Sequence, residues 1–282
     1  MNIAIVGATG NVGRKLIEVL EKKNFPLSEL YLIASSKSAG KKINFKNQEH
    51  TVIDLEVFDF SKVKIAFFAA GSSIAEKWAP IAAEKTIVID NSKFFRKDPQ
   101  IPLVVPEVNS KDLNQVKNKN IIANANCSVI PMVVALKPLH DLYSIKRIVA
   151  STYQSVSGAG KAGMDELLSQ TKEYYENKEL ISKNFTKQIA FNAIPHIDSF
   201  LENGYTKEEQ KNHDEVKKIL DNKIKITSTC VRIPVLVSHS LSVNVEFNKK
   251  HNLEEIRNVL SSSPGCKRSE EHTSELQSPL DI

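Results

Sequence analysis

Two stretches of this sequence hold residues whose types and spacing could do chemistry. In IIANANCSVIPMVVAL (Ile121–Leu136), Cys127 stands between Asn126 and Ser128, just ahead of an apolar run with Pro131 near its start. Proline is tolerated in a first helical turn, so the run reads as a helix opening close to the cysteine. The positive end of a helix dipole favours thiolate over thiol, which suits a nucleophile. A buried small hydrophobe is the other reading of any free cysteine, and the window alone leaves both open. The second stretch is Gly7-Ala8-Thr9-Gly10-Asn11-Val12-Gly13, a G-x-x-G-x-x-G loop at the head of the chain. Small residues let the backbone approach a pyrophosphate, and the following helix start offers free N–H groups. A Gly-rich turn that holds no ligand is the alternative.

The end of the second apolar run bears on which nucleotide such a loop would hold. An acid there usually receives the ribose 2′-hydroxyl of NAD. This chain has Ala34-Ser35-Ser36-Lys37-Ser38, hydroxyls and a cation. That set suits a 2′-phosphate and predicts NADP. Arginine is scarce, six against 32 lysines, so each arginine is a candidate for a place that needs a planar two-pronged donor.

The elements that must position these residues show in the pattern. NIAIV (Asn2–Val6), LYLIAS (Leu30–Ser35), IAFFAAG (Ile65–Gly71), TIVID (Thr86–Asp90) and LVVPEV (Leu103–Val108) are short apolar runs that predict strands. RKLIEVLEK and IAEKWAPIAAEK between them predict helices. The alternation predicts an α/β fold, a doubly wound, Rossmann-like parallel sheet. After Cys127 the runs lengthen: RIVASTYQSV (Arg147–Val156), KQIAFNAIP (Lys187–Pro195), IKITSTCVRIPVLVSHS (Ile224–Ser240) and SVNVEF (Ser242–Phe247) predict strands, with a polar helix over Thr206–Leu220. We expect an NADP-binding domain over residues 1–126 and a second, α+β domain over 127–267.

Composition excludes several classes. With 41% hydrophobic and 25% charged residues the chain is an ordinary globular one. No stretch of about 18 apolar residues suggests a membrane span, and the N-terminus lacks the basic start of a signal peptide. A cytoplasmic protein is expected, with no membrane partner. Cys127, Cys230 and Cys266 are too few and too scattered for a disulfide framework or zinc site, so no metal is expected. The net charge of +5 comes from dispersed lysines, not a basic arm, and nucleic acid is not expected as a partner.

GATGNVG, SSKSAGK, AAGSS, DNSKFFR, PLVVPEVN, NANCS, STYQSVSGAGK, IAFNAIPHID and CVRIPVLVSHS follow one another in this chain. In that order they resemble the aspartate-β-semialdehyde dehydrogenase family from residue 2 to about 267. The resemblance implies NADPH-dependent reduction of β-aspartyl phosphate to aspartate semialdehyde with release of phosphate, a step of lysine, threonine and methionine biosynthesis. It implies a homodimer. An acyl phosphate and an aldehyde differ by hydride and phosphate, and a thiolate can carry the acyl group between them. The resemblance makes Cys127 that carrier, His239 the acid/base and Gln154 the group that orients the carbonyl. It assigns substrate binding to Arg96, Asn126, Glu208, Lys211 and Arg232. Arg232 would fork onto the carboxylate, Glu208 receive the ammonium, and Arg96 and Lys211 lie by the phosphate. The cofactor would meet Gly7, Thr9, Gly10, Asn11 and Val12 at the pyrophosphate, and Ser35, Lys37 and Ser38 at the 2′-phosphate. Gly71 and Ser72 would line its loop, and Ser157 and Gly158 the nicotinamide. Ala125 departs from the proline frequent there in the family.

Two other readings stand beside this one. An N-acetylglutamyl-phosphate reductase-like enzyme would share the acyl chemistry but needs no ammonium subsite at Glu208. A non-catalytic nucleotide-binding homologue would have no need of Cys127, Gln154, Arg232 and His239 together. After Lys267 the chain reads RSEEHTSELQSPLDI, polar and without apolar periodicity, like translated adapter DNA. Residues 268–282 are expected to be non-native, where the family would continue into a strand, a cofactor-side loop and a long helix. On that expectation the chain as it stands is weakly active or inactive.

Overall fold

The computed structural model describes residues 1–269 and 276–277. Among them the chain divides into two compact units, one over Met1–Ala125 and one beginning at Asn126. The segment 268–282, expected to be non-native, lies mostly outside the described residues.

The first unit is a doubly wound α/β sheet. Its elements are β1 (Asn2–Val6), α1 (Asn11–Lys22), β2 (Glu29–Ala34), the hairpin β3 (Lys42–Phe45) and β4 (Gln48–Thr51), β5 (Ile53–Asp54), β6 (Ile65–Phe68), α2 (Ser72–Ala83), β7 (Ile87–Asp90), β8 (Leu103–Val104), the short α3 (Pro106–Asn109) and β9 (Ile121–Asn124). Seven strands pair in parallel in the order β5-β2-β1-β6-β7-β9-β8. Ile3, Ile5, Leu32, Ala66, Phe68 and Val88 are all buried within the sheet. Strands covered on both faces read as unbroken apolar runs, which is why they show so plainly in the sequence. α1 buries Gly13, Ile17 and Leu20 and stops where Asn24 takes a positive φ of 50° and Phe25 N–H closes on Leu20 O at 3.0 Å.

The second unit has α4 (Val129–Tyr143), β10 (Ile145–Gln154), α5 (Gly160–Tyr175), α6 (Lys207–Ile219), β11 (Lys225–Arg232), β12 (His239–Phe247) and α7 (Leu253–Ser262). Its mixed sheet runs β11-β10-β12, with β10 parallel to β11 and antiparallel to β12. The fold class is therefore a Rossmann-like parallel sheet followed by an α+β unit.

Three segments differ from expectation. LVVPEV is strand only to Val104, because Pro106 lacks an N–H for the ladder and opens α3 instead. The run Ile224–Ser240 is two pieces, β11 and the start of β12, broken around Pro234. KQIAFNAIP is not a strand. The Ile189 and Ala190 amides donate to the side chain of Gln170, at 2.9 and 3.1 Å, and Phe191 turns to a φ of 57°. Only Ile194 pairs with a strand residue, Arg232. A buried glutamine 19 residues earlier has taken the place of a ladder.

Candidate active site

Sheet register builds the centre of the second unit. Gln154 ends β10 and lies opposite Arg232 of β11 on one side and His239 of β12 on the other. The three residues form one row across the sheet, with side chains on one face. A slip of one residue would turn them to the other face.

Cys127 is exposed and lies two residues before the start of α4. His239 Nε2 lies 3.2 Å from its Sγ. On the other side of the ring, Nδ1 lies 2.9 Å from Ser238 O and 3.1 Å from the Ser155 amide N. With Nδ1–H donating to Ser238 O, Nε2 keeps its lone pair and can accept the Cys127 proton; with Nε2–H the ring instead accepts from Ser155. Burial pushes His239 below its usual pKa. The hydrogen bond to Ser238 and the Glu208 charge oppose that shift, and Arg232 adds to it. A neutral imidazole beside a thiol is an arrangement fit to take a proton and return it.

Helix α6 supplies the charged groups. Thr206 and Glu209 form a capping box at its start, with Thr206 N–H donating to Glu209 Oε2 at 2.7 Å and Glu209 N–H to Thr206 Oγ1 at 3.3 Å. Glu208 is buried, and its Oε1 accepts from Asn126 Nδ2 at 3.0 Å and Gln154 Nε2 at 3.2 Å. Lys211 donates to Glu208 Oε2 at 2.7 Å and to Asp198 at 3.1 Å. Burial raises the Glu208 carboxyl, but the Lys211 charge and these hydrogen bonds outweigh it, so the group ends below its usual value. Arg232 is buried and donates to Ser155 O at 2.5 Å. A Cβ on Gly158 would stand 3.1 Å from the Arg232 guanidinium, so a glycine leaves that group room.

Cys127, Asn126, Gln154, Glu208, Lys211, Arg232 and His239 thus lie in one unit, joined by short contacts or by sheet register. Arg96 lies in the first unit, buried, with Nη2 donating to Asn91 O at 3.1 Å. It follows Asp90, which accepts from Ser92 N–H at 3.0 Å and from its hydroxyl at 2.6 Å. Sequence reasoning missed Asn212, Glu215 and Asp198. The first two lie four and seven residues after Glu208, a helical-face spacing that could have marked them.

The first unit carries the expected nucleotide loop. Gly7 has a φ of 89°, and a Cβ there would meet the Ala69 backbone at 2.7 Å. A Cβ on Gly13 would stand 2.2 Å from Gly7 O, so the start of α1 sits directly on the loop. Gly10, Asn11 and Val12 are exposed, and Thr9 O accepts from Arg14 Nε at 3.2 Å. Strand order reverses between β1 and β6, and α1 and α2 both start just past the carboxyl ends of these strands. Such a switch point is where open sheets bind ligands. Gly71, with a φ of 86°, and Ser72 stand at the start of α2. Ser35 and Lys37 are exposed at the end of β2, with Ser38 half-buried beside them. Ser157 and Gly158 follow β10 in the second unit. The residues present fit a dinucleotide. Among the described residues no cluster of side chains could hold a metal ion, and no helix is long and apolar enough to cross a membrane.

Residues 2–116 match a family model described as semialdehyde dehydrogenase, NAD binding domain, and residues 136–281 match semialdehyde dehydrogenase, dimerisation domain. The second match runs across the segment expected to be non-native. The aspartate-semialdehyde dehydrogenase of Aquifex aeolicus is 53% identical over 267 residues, 93% of this chain and 78% of that protein. A crystal structure of aspartate semialdehyde dehydrogenase II from Vibrio cholerae, complexed with ASA, superposes with a TM-score of 0.92 at 49% identity, covering 94% of this chain and 79% of that one. The Candida albicans aspartate semialdehyde dehydrogenase with NADP gives a TM-score of 0.69 at 25% identity, covering 93% and 76%.

Proposed function

The chain belongs to the aspartate-semialdehyde dehydrogenase family, and from that premise we propose that it reduces β-aspartyl phosphate to aspartate semialdehyde and phosphate, with Cys127 as acyl carrier. The 3.2 Å approach of His239 Nε2 to Cys127 Sγ carries this reading. His239 takes the thiol proton at Nε2. The thiolate attacks the acyl phosphate carbonyl, the C–O bond to phosphate breaks, and a thioester remains on Sγ. Gln154 orients the carbonyl, Arg232 forks onto the substrate carboxylate and Glu208 receives the ammonium, with Asn126 steadying Glu208. Arg96 and Lys211 bind the phosphate. When bound, a nicotinamide dinucleotide supplies the hydride. His239 then returns the proton as the C–S bond breaks and the aldehyde leaves.

Ser35, Lys37 and Ser38, with no acid at the end of β2, support NADP over NAD. Gly7, Thr9, Gly10, Asn11 and Val12 are read as its pyrophosphate loop, Gly71 and Ser72 as a second contact, and Ser157 and Gly158 as contacts by the nicotinamide. The description of the second matching family model supports a homodimer, and cysteines in the thiol form at 127, 230 and 266 support a reducing, cytoplasmic setting.

The test is acyl transfer. Incubated with β-aspartyl phosphate and no nucleotide, the chain releases phosphate stoichiometrically, and Cys127→Ala does not. Equal release by the variant would sink the reading. Replacing the substrate by N-acetylglutamyl phosphate gives much slower release, because Glu208 finds no ammonium.

A further inference from the structure

The geometry points to Glu215 as a positioning residue for Cys127; this deepens the reading of Cys127 as acyl carrier and rests on it. The turn that holds the cysteine is first closed by itself. Asn126 Oδ1 accepts from the Ser128 amide at 2.8 Å, and Asn126 O accepts from Val129 N–H at 2.9 Å and Ile130 N–H at 3.0 Å. Those bonds give the turn its shape but not its place.

Three bonds from α6 give it a place. Glu208 Oε1 accepts from the Asn126 side chain at 3.0 Å, Asn212 Oδ1 from the Ser128 hydroxyl at 2.7 Å, and Glu215 Oε2 from the Asn126 backbone N–H at 2.6 Å. Spacings of four and three residues put the three acceptors on one helical face. They differ in what they hold. Glu208 is shared with Gln154 and Lys211. Asn212 makes a bond between neutral groups and also donates to Ser228 and Cys230. Glu215 is 3% exposed, and its carboxyl oxygen accepts from the main chain one residue before the nucleophile. A tether on the main chain fixes the path of the backbone through Cys127. His239 comes from β12, a separate element, so the Sγ to Nε2 distance depends on how the cysteine turn is held. A displacement of about 1 Å in such a pair can cost about 100-fold in rate.

The test reads the thiol directly. The rate of Cys127 alkylation by iodoacetamide is followed against pH by peptide mass mapping, with buried Cys230 and half-buried Cys266 as internal references. We expect Glu215→Ala to slow Cys127 by about tenfold at neutral pH and to change the pH dependence of its alkylation. Cys230 and Cys266 stay at their wild-type rates. Glu215→Gln, whose amide oxygen can accept the same N–H, stays within about threefold of wild type. Glu215→Asp, charged but one methylene shorter, behaves as Ala does. Should Glu215→Ala fail to fold, the contrast between Gln and Asp decides. A wild-type Cys127 profile in Ala and Asp overturns the proposal. So does a Gln variant as slow as Asp, or a Cys230 that gains reactivity as Cys127 changes, which would mark general loosening. Failure of the underlying reading looks different: Cys127→Ala would still release phosphate, whatever the Glu215 series shows.

Discussion

His239 meets the thiol as a neutral base because burial, with the Arg232 charge, holds its pKa below the ordinary value. Two consequences belong to this one side chain. Acyl transfer should rise with pH through a window below about 6.5, the ordinary histidine value, and be level above it. Single-turnover phosphate release against pH measures this, and His239→Gln should lose most of the rate. The sign for stability follows from linkage. The unfolded chain binds this proton more readily than the folded one, so the contribution is fully present above about pH 6.5 and is lost as pH falls toward the depressed folded value. Urea midpoints of wild type and His239→Gln should therefore change their separation across that window. At the other end of the proposed reaction, Lys37 is an exposed cation with a single expected task, the 2′-phosphate. Lys37→Ala should raise the Kd for NADPH by about tenfold or more and leave that for NADH nearly unchanged, as titration of nucleotide fluorescence would show.

Among the elements, α6 does the most for the site, since Glu208, Lys211, Asn212 and Glu215 all project from it. Its capping box holds the first turn, where Glu208 sits, and Glu209 reaches on to the Cys230 amide at 3.1 Å. Thr206→Ala should cost about 1 kcal/mol, read as a shifted urea midpoint with an unchanged slope. The element also shows where the sequence is legible and where it is not. The strands of the first unit could be read because a parallel sheet needs unbroken apolar runs, and the Gly7 loop because its glycines follow one of them. In KEEQKNHDEV the buried acids look like a solvated face, since Lys207 and Asp214 share their character; only the fold shows that Glu208 and Glu215 turn inward. KQIAFNAIP misleads for a related reason. Its alternation is that of a strand, but its amides answer to Gln170 on α5, and no local pattern records that. Cys127 was half legible. Its place at a helix start shows in the chain, whereas its pairing with His239 depends on the register of β12.

For the molecule as a whole, the candidate functions divide by unit: the nucleotide loop and Arg96 belong to the first, and the thiol, its base, Glu208, Lys211 and Arg232 to the second. A homodimer predicts a native mass of twice 31.5 kDa by light scattering; a monomer at micromolar concentration would remove that proposal. The chain spans 78% of the Aquifex aeolicus protein's length. We propose residues 268–282 as non-native, and resequencing across codon 267 tests this directly. The Cys127–His239 contact joins residues 112 positions apart. A ribosome adding about 5–20 residues per second needs about 6–20 s to make that interval. Through it the nascent cysteine has no base beside it. On the proposed reading the thiol is thus unarmed while the chain is being made, and becomes a nucleophile only when the strand that carries its histidine has been synthesised and paired.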